Sequence, residues 1–411
     1  MDDQFDNREL IIEYLESGCK GGDMGYIGVE IEQFVLDEDG DRVPYIEKHG
    51  RLGVRDILEQ LSPYYSEVVR NEEGDILSLF RLDSNVTIEP AAQLELSISP
   101  MLSLADVEHE YDNFALRMKQ ILKPYDYKLV PLGYDPKNHA ADLPVIPKPR
   151  YRFMDEYFSK LPGMHAERMM RATTSMQVSI DFASEADAVR KLRIATLLGP
   201  VFSYLLDNVP VFEGEPNSTP LRRMKVWREV DPARCGAIPG LFDEGFGFAA
   251  YADWLLSTPP IFITRPDAHP TGSMTAAEAY ADAPMDKADI EHLMSMVWPD
   301  VRLKRYVEIR QGDSVPFDVA LGYAALIKGL FYGETNLEII EHALGVGEDG
   351  IWPYTEQSVE DAIDAVIADE LDAVLYGRTL ESWISLLFQI APDGLGVEED
   401  YLEPLMDFKG I

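Results

Sequence analysis

The sequence predicts an α+β fold in which a largely antiparallel sheet is flanked by helices. Strand-like runs follow one another over residues 24–98, and the short connections between them suit antiparallel neighbours. The last third of the chain consists mostly of amphipathic helical patterns. Because no linker-like change in composition separates these parts, we expect a single domain over residues 1–411, with a mostly helical C-terminal portion from about 312.

The composition is that of a globular protein in a reducing compartment. Of the 411 residues, 46% are hydrophobic and 10% are aromatic, which argues against a disordered chain. No apolar run is long enough to span a bilayer, and the acidic start Met1 to Asp6 lacks the basic and apolar regions of a signal peptide. The two cysteines are too few for a disulfide scaffold. We therefore expect a cytoplasmic protein with no membrane partner.

The net charge of −37 argues against nucleic acid as the main partner, because a polyanion is repelled by a strongly acidic surface. Two basic clusters, at 222–234 and 302–310, stand out against this background. Each is either a solvated basic face or a place that attracts an anionic substrate, and the sequence leaves both interpretations open. We expect a monomer by default.

Carboxylates inside the first strand are the main indication of chemistry. The run at 24–36 alternates so that Glu30 and Glu32 share one face of an otherwise apolar strand. Burying two like charges is unfavourable unless a cation or an arginine neutralises them. A bound metal ion would do so, and an ion-pair network with Arg81 or Arg310 is the alternative.

The same pattern returns in two later strands. At 86–98 the side chain of Glu95 lies on a polar face, and at 306–310 Glu308 and Arg310 share a face. Inward carboxylates on three strands predict a hard-metal site, and oxygen ligands select Mg²⁺ or Mn²⁺ over Zn²⁺.

Caps and periodicity predict the elements around these strands. Amphipathic helices are expected at about 7–18 and 103–122. The proline-rich segment 134–163 is predicted to be a long ordered loop, a kind of segment that is often functional. The strand at about 173–182 has a polar face that includes Gln177, which indicates either a strand that lines a cavity or a half-exposed edge strand.

The remaining pattern predicts further strands and helices, joined by a basic loop at 213–243. The strands are expected at 66–70, 76–82, 86–89, 93–98, 260–264 and 302–309. The helices are expected at about 185–207, 246–256, 286–297, 316–332, 335–344, 357–374 and 378–390.

Several familiar motifs are absent from the sequence. It has no P-loop, no dinucleotide fingerprint after a strand, no histidine or cysteine cluster with zinc spacing, and no nucleophile elbow. The candidate ligands that remain are the carboxylate and carboxamide oxygens of side chains on strands. Because Mg²⁺ on an acidic site commonly carries phosphate, the pattern points to ATP-dependent chemistry without the usual nucleotide loops.

Seven segments, in order, carry a resemblance to a known family. They are Ile-Gly-Val-Glu-Ile-Glu-Gln-Phe (27–34), Ile-Glu-Pro-Ala-Ala-Gln-Leu-Glu-Leu-Ser (88–97), Pro-Arg-Tyr-Arg-Phe-Met (149–154), Thr-Ser-Met-Gln-Val-Ser-Ile-Asp-Phe (174–182), Phe-Glu-Gly-Glu-Pro-Asn-Ser (212–218), Arg-Met-Lys-Val-Trp-Arg-Glu-Val-Asp-Pro-Ala-Arg-Cys-Gly (223–236) and Arg-Leu-Lys-Arg-Tyr-Val-Glu-Ile-Arg (302–310). The set resembles the glutamate–cysteine ligases of plants and many bacteria, which are carboxylate–amine ligases of glutamine-synthetase-like fold. The resemblance implies a funnel-shaped active site on the sheet.

The resemblance also implies an activity and a set of site residues. The activity is ATP- and Mg²⁺-dependent ligation of L-glutamate to L-cysteine through γ-glutamyl phosphate, giving γ-glutamylcysteine on the way to glutathione or a related thiol. The implied metal ligands are Glu30, Glu32, Glu95, Gln177 and Glu308, supported by Gln93 and Glu89. The implied catalytic residues are Arg310 and Glu308. The implied substrate contacts are Arg223, Trp227, Arg234, Arg150 and Tyr151.

Alternatives remain for single residues and for the whole protein. Gln177 is alternatively a carboxamide bonded to the backbone, and Trp227 a core side chain. Arg150 and Tyr151 alternatively stabilise a turn in the long loop. The protein is alternatively a ligase of the same fold that uses a different amine, or a non-catalytic sensor of nucleotide or glutamate.

Overall fold

A nine-stranded antiparallel sheet lies at the centre of the protein, in the order β14-β15-β7-β1-β5-β4-β3-β2, with β6 paired to the end of β1. The computed structural model describes residues 5–22, 24–47, 49–347 and 349–410, so most of the acidic N-terminal stretch noted above lies outside it. The strands are β1 Ile27–Leu36, β2 Glu67–Arg70, β3 Ile76–Phe80, β4 Ser84–Ile88, β5 Leu94–Met101, β6 Lys128–Val130, β7 Ser175–Ile180, β8 Val211–Phe212, β9 Glu215–Pro216, β10 Cys235–Gly236, β11 Phe262–Ile263, β12 His269–Pro270, β13 Trp298–Pro299, β14 Val301–Leu303, β15 Val307–Asp313, β16 Val374–Leu375 and β17 Arg378–Thr379.

Helices surround the sheet and make up most of the C-terminal portion. They are α1 Asn7–Glu16, α2 Val54–Leu61, α3 Leu104–Leu122, α4 Pro149–Phe158, α5 Ala166–Ala172, α6 Glu185–Leu197, α7 Gly199–Leu205, α8 Arg222–Arg228, α9 Phe248–Ser257, α10 Ala276–Ala279, α11 Lys287–Met294, α12 Phe317–Tyr332, α13 Asn336–Ala343, α14 Glu356–Asp369, α15 Leu380–Ile390, α16 Pro392–Leu395 and α17 Glu403–Lys409. Among the described residues, no helix is long and apolar enough to cross a membrane.

The core joins the apolar face of the sheet to helix α12. Val29 and Ile31 on β1 and Val178 on β7 are almost completely buried. Helix α12 is apolar nearly all round and packs against β1, β7 and α3, as expected for a helix that is covered on every side. The alternation of β1 therefore turns Glu30 and Glu32 away from this core.

The predicted α+β class with a large antiparallel sheet is confirmed. The polar strand at 173–182 is β7, which lies between β15 and β1, so the edge-strand alternative is wrong. The predicted single strand at 302–309 is a hairpin of β14 and β15. The predicted helix at 185–207 is interrupted at Leu198, where α6 ends and α7 begins with a Gly-Pro pair.

Two segments predicted as loops contain helices that carry site residues. Within 134–163, α4 begins at Pro149, because proline in the first turn leaves no helical hydrogen bond unmade. Within the basic loop 213–243, α8 begins after Leu221, whose φ of 51° is left-handed. The density of proline and charged residues concealed both helices.

Candidate active site

Strand register brings the predicted carboxylates onto one face of the sheet. Glu32 on β1 lies directly opposite Glu95 on β5, and Glu30 lies between Ser97 on β5 and Gln177 on β7. Directly opposite side chains in an antiparallel pair have Cβ atoms about 5 Å apart. The period of two along each strand and the pairing between strands together build one acidic surface.

This surface is the floor of a cavity of about 360 Å³. Helix α4 and its N-terminal approach contribute one wall, and residues near the end of α11 and on β13 and β14 contribute another. The lining side chains are Glu30, Glu32, Glu89, Glu95, Lys148, Arg150, Tyr151, Met154, Gln177, Ser295, Trp298, Arg302 and Arg310.

Glu30, Glu32 and Glu95 have no cationic partner within ion-pair distance in the described part of the chain. Burial and the charges of Glu95 and Glu308 raise the pKa of Glu30 to about 7. Burial and the charges of Glu89 and Glu95 raise the pKa of Glu32 to about 8. Burial, followed by the charge of Glu89, also raises the pKa of Glu95. Among the described residues, the nearby cations therefore do not neutralise these three carboxylates by direct contact.

The ion-pair alternative for Glu30 and Glu32 is therefore wrong. Arg81 pairs with Glu110, and Arg310 pairs with Glu308. The hydrogen bonds that hold the acidic surface come from neutral donors. The Ser175 amide donates to Glu32 at 2.7 Å. The Thr87 hydroxyl donates to Glu95 at 2.7 Å.

The donor set fits Mg²⁺ or Mn²⁺ held jointly by protein and phosphate oxygens. Among the described residues, no three acidic, histidine or cysteine side chains form a cage for one ion. Mg²⁺ usually takes one or two carboxylates and completes its shell with water and substrate phosphates, so a row of carboxylates suits it better than a cage. Glu30, Glu32 and Glu95 are the residues that would hold such ions.

Glu308 has a different environment from these three residues. It is completely buried and contacts three basic side chains, those of Arg302 at 2.7 Å, Lys304 at 2.8 Å and Arg310 at 2.9 Å. Burial opposes its ionisation, but the three cations hold the pKa of Glu308 well below its usual range. In this arrangement Glu308 neutralises and orients the basic group, although the sequence predicted a metal ligand here.

Gln177 connects the basic group to the acidic surface. Its carboxamide oxygen, the atom that would bind a metal, accepts a hydrogen bond from Arg310 at 2.6 Å. Its amide nitrogen donates to Glu32 at 3.2 Å and to Ser175 at 3.0 Å. The alternative of a carboxamide bonded to the backbone is therefore wrong, and the contacts make Gln177 a residue that orients Arg310 beside Glu32.

A crevice of about 20 Å³ adjoins the cavity and contains two predicted substrate contacts, Arg223 and Trp227. Trp298 and Arg310 line both spaces, so the crevice and the cavity lie next to each other. The side chain of Arg223 is buried, and its Nε and the indole Nε1 of Trp227 have no hydrogen-bond partner in the part of the chain that the structure describes. Unpaired buried donors are costly unless an acceptor from outside the chain satisfies them.

The other predicted site residues divide between the cavity and the structure around it. Arg150 and Tyr151 line the cavity but are tethered, Arg150 to the Ser295 hydroxyl at 2.7 Å and Tyr151 to the Ile88 carbonyl at 3.1 Å. Glu89 also lines the cavity and accepts a hydrogen bond from Tyr151 at 3.2 Å.

Gln93 and Arg234 lie outside the lining of the cavity and the crevice. The side-chain amide of Gln93, the residue before β5, donates to the carbonyls of Met170 and Thr173 and so links the start of β5 to the segment before β7. Arg234 is almost completely buried and pairs with Asp231 at 3.0 Å. Their contacts are structural, so the predicted roles beside a metal and on an anion have no support from their positions.

Basic residues that were not predicted individually also face the site. Lys148 lines the acidic cavity, and Arg302 and Lys304 contact Glu308. The cluster at 302–310 signalled Arg302 and Lys304, whereas Lys148 carried no sequence signal beyond its place next to Pro149. A second cavity, of about 710 Å³, shares Glu30 and Ser295 with the first, and Lys304 lines it as well.

Comparisons with known proteins identify the family of the chain. A family model described as glutamate-cysteine ligase family 2 matches residues 26–405. Glutamate–cysteine ligase B, chloroplastic, of Oryza sativa subsp. japonica is 30% identical over 341 residues, which are 81% of this chain and 68% of the relative. The chloroplastic enzyme of Arabidopsis thaliana is 32% identical over 343 residues, which are 81% of this chain and 64% of the relative.

A solved structure is similar in fold. It is glutamate–cysteine ligase from Francisella tularensis in complex with AMP, which aligns with a TM-score of 0.56 and 12% identity over 94% of this chain and 82% of that one. At this identity the similarity supports the fold alone.

Proposed function

The chain belongs to glutamate–cysteine ligase family 2, and from this premise we propose that it uses ATP to join the γ-carboxylate of L-glutamate to the amine of L-cysteine. The observation that carries the proposal is the row formed by Glu30, Glu32 and Glu95, which have no cationic partner within ion-pair distance among the described residues and lie beside Arg310. A sensor that catalyses no reaction would have no need for carboxylates without a cationic partner next to a buried arginine.

Glutamate would span the crevice and the cavity. Arg223 offers a free, buried Nε for the α-carboxylate, and Trp227 offers its indole N–H on the same wall. The γ-carboxylate would then extend past Trp298 towards Arg310, which lines both spaces. At about 20 Å³ the crevice has room for about one water, so it must widen when substrate enters.

ATP would occupy the larger cavity, with its phosphates at the boundary near Glu30. Lys304 and Glu30 line that cavity, and Glu30 also lines the smaller one, so a phosphate chain there would reach both the acidic and the basic groups. The Francisella enzyme of similar fold was solved with AMP, which supports nucleotide binding. Mg²⁺ or Mn²⁺ on Glu30, Glu32 and Glu95 would neutralise the charge between carboxylates and phosphates.

The protein's own residues then account for two transfers. A γ-carboxylate oxygen of glutamate attacks the γ-phosphorus of ATP, and ADP leaves. Arg310 is oriented by Gln177 and Glu308, so its guanidinium is already positioned for the charge on the transferred group. The neutral amine of cysteine attacks the acyl carbon of γ-glutamyl phosphate, the bond between that carbon and the phosphate oxygen breaks, and the proton lost by the nitrogen is taken up by the departing inorganic phosphate. The site thereby gives γ-glutamylcysteine.

The test is release of ADP from ATP, Mg²⁺ and L-glutamate, with L-cysteine and then with other amines. We expect release that requires both amino acids, with γ-glutamylcysteine identified by its mass. Glu95→Gln should abolish release, and Glu67→Gln on the exposed edge strand β2 is the matched control that should retain it. Preference for another amine would move the protein to the alternative ligase reaction, and no release with any amine would favour the sensor.

A further inference from the structure

Asp300 lies in the crevice that also contains Arg223 and Trp227. It follows β13 and precedes β14, and its backbone is held at both ends. Its amide donates to the Gly236 carbonyl at 2.9 Å, and its carbonyl accepts from the Arg310 amide at 3.2 Å. Asp300 is 8% exposed, so its carboxylate is a buried group fixed next to the backbone of Arg310.

The contacts of Asp300 leave part of its carboxylate free. Arg228 donates to Oδ2 at 3.2 Å and also pairs with Glu360 at 2.6 Å. Within the described residues, Oδ1 of Asp300 accepts no hydrogen bond from a side chain or the backbone. A carboxylate has about four acceptor positions, so one shared arginine does not saturate it.

The crevice also has unsatisfied donors. Within the described residues, Arg223 Nε and Trp227 Nε1 have no hydrogen-bond partner. Arg223 is oriented by the carbonyls of Arg310 and Gln311, at 3.5 and 3.4 Å. Asp300 and Arg223 thus both contact the backbone of Arg310 and line the same crevice, one as an anion and the other as a cation.

We propose that Asp300 binds the α-ammonium group of the amino acid whose α-carboxylate binds Arg223. The inference rests on the proposed function, because it identifies the group that this substrate presents to the crevice. An α-amino acid carries one cation and one anion on the same carbon, and the crevice offers one complementary charge for each. Asp300 binds substrate and orients it, and takes no part in the bond changes.

This assignment makes Asp300 a determinant of specificity. A dicarboxylate without the ammonium group, such as glutarate, keeps the contact with Arg223 but brings no cation to Oδ1 of Asp300, and its negative charge repels that carboxylate. The site therefore selects a free amino acid over a dicarboxylate of the same length. A binding contact of this kind acts equally on substrate and transition state, so its loss raises KM more than it changes kcat.

The experiment compares Asp300→Asn with Glu360→Gln in the full chain. Glu360 is the other partner of Arg228 and is not among the residues that line the crevice, so its variant disturbs Arg228 without removing the charge that faces substrate. For each protein we would measure KM and kcat for L-glutamate and Ki for glutarate in the ADP-release assay. Dissociation constants of both compounds by calorimetry supply the same comparison without turnover.

In Asp300→Asn we expect weaker binding of L-glutamate by on the order of 10- to 100-fold, since a hydrogen bond to a charged group is lost. Glutarate should bind as well as before or more tightly, because the repulsion is removed. Glu360→Gln should change neither value. Equal weakening of both compounds in Asp300→Asn, or the same change in Glu360→Gln, would overturn the inference. Wild-type protein that binds L-glutamate but releases no ADP would refute only the proposed function.

Discussion

Replacing Glu32 by glutamine should stabilise the metal-free protein while abolishing its activity. Glu32 has no cationic partner among the described residues, and burial with the charges of Glu89 and Glu95 raises its pKa to about 8. An unfolded chain ionises this carboxyl near pH 4.5. The folded state therefore holds a proton that the unfolded state has released, and stability falls as the pH rises through this interval.

The size of the effect follows from that difference. Holding the proton costs about 1.4 kcal/mol per pH unit above the unfolded value, hence about 3 kcal/mol at pH 7. Glutamine removes this cost and its carboxamide oxygen still accepts from the Ser175 amide, but the hydrogen bond from Gln177 is lost at about 1 kcal/mol. The free energy of unfolding therefore rises by about 2 kcal/mol, and this raises the thermal midpoint of a chain of this length by roughly 2 °C.

The assay is thermal unfolding in a chelating buffer at several pH values between 5 and 8, with ADP release measured in parallel. We expect the gain of Glu32→Gln to be near zero at pH 5 and to grow up to about pH 8. Glu67→Gln, on the exposed edge strand β2, controls for the loss of one negative charge. A lower midpoint at pH 7, or a gain that does not depend on pH, would refute the reasoning.

Three further predictions concern the basic group, the substrate arginine and the surface. Glu308→Gln should change the free energy of unfolding in the direction opposite to Glu32→Gln. It should destabilise the protein by about 3 kcal/mol or more, because Arg302, Lys304 and Arg310 lose their common anion. An unchanged thermal midpoint would contradict this. Arg223→Lys should lower kcat/KM for L-glutamate on the order of 10- to 100-fold, because a lysine cannot reproduce the planar guanidinium contact. Steady-state kinetics would show it, and an unaltered value would remove Arg223 from the substrate site. Raising NaCl from 0.1 to 1 M shortens the screening length from about 10 to about 3 Å and should raise the thermal midpoint of a chain with net charge −37. A midpoint that is constant or falls would mean that self-repulsion does not limit its stability.

Local pattern predicted most of the sheet and the acidic floor. The period of two in β1 put Glu30 and Glu32 on the face opposite the apolar core, and a one-residue slip would have buried both against helices. Hydrophobic periodicity also predicted α3 and α12 to within a few residues. Helix α4 was missed, since a proline at its first position resembles a loop signal when its partner elements are unknown.

The alternation of residues along the chain determined which side chains share a face, because strand geometry leaves a side chain only two directions. Which charges neutralise one another was decided by tertiary structure alone. Glu32 and Glu308 look alike in sequence, yet Glu308 lies among three cations while Glu32 lies opposite Glu95. That difference arises from strand pairing and from the fold of the β14–β15 hairpin, and electrostatic energy depends on distances that no local pattern contains.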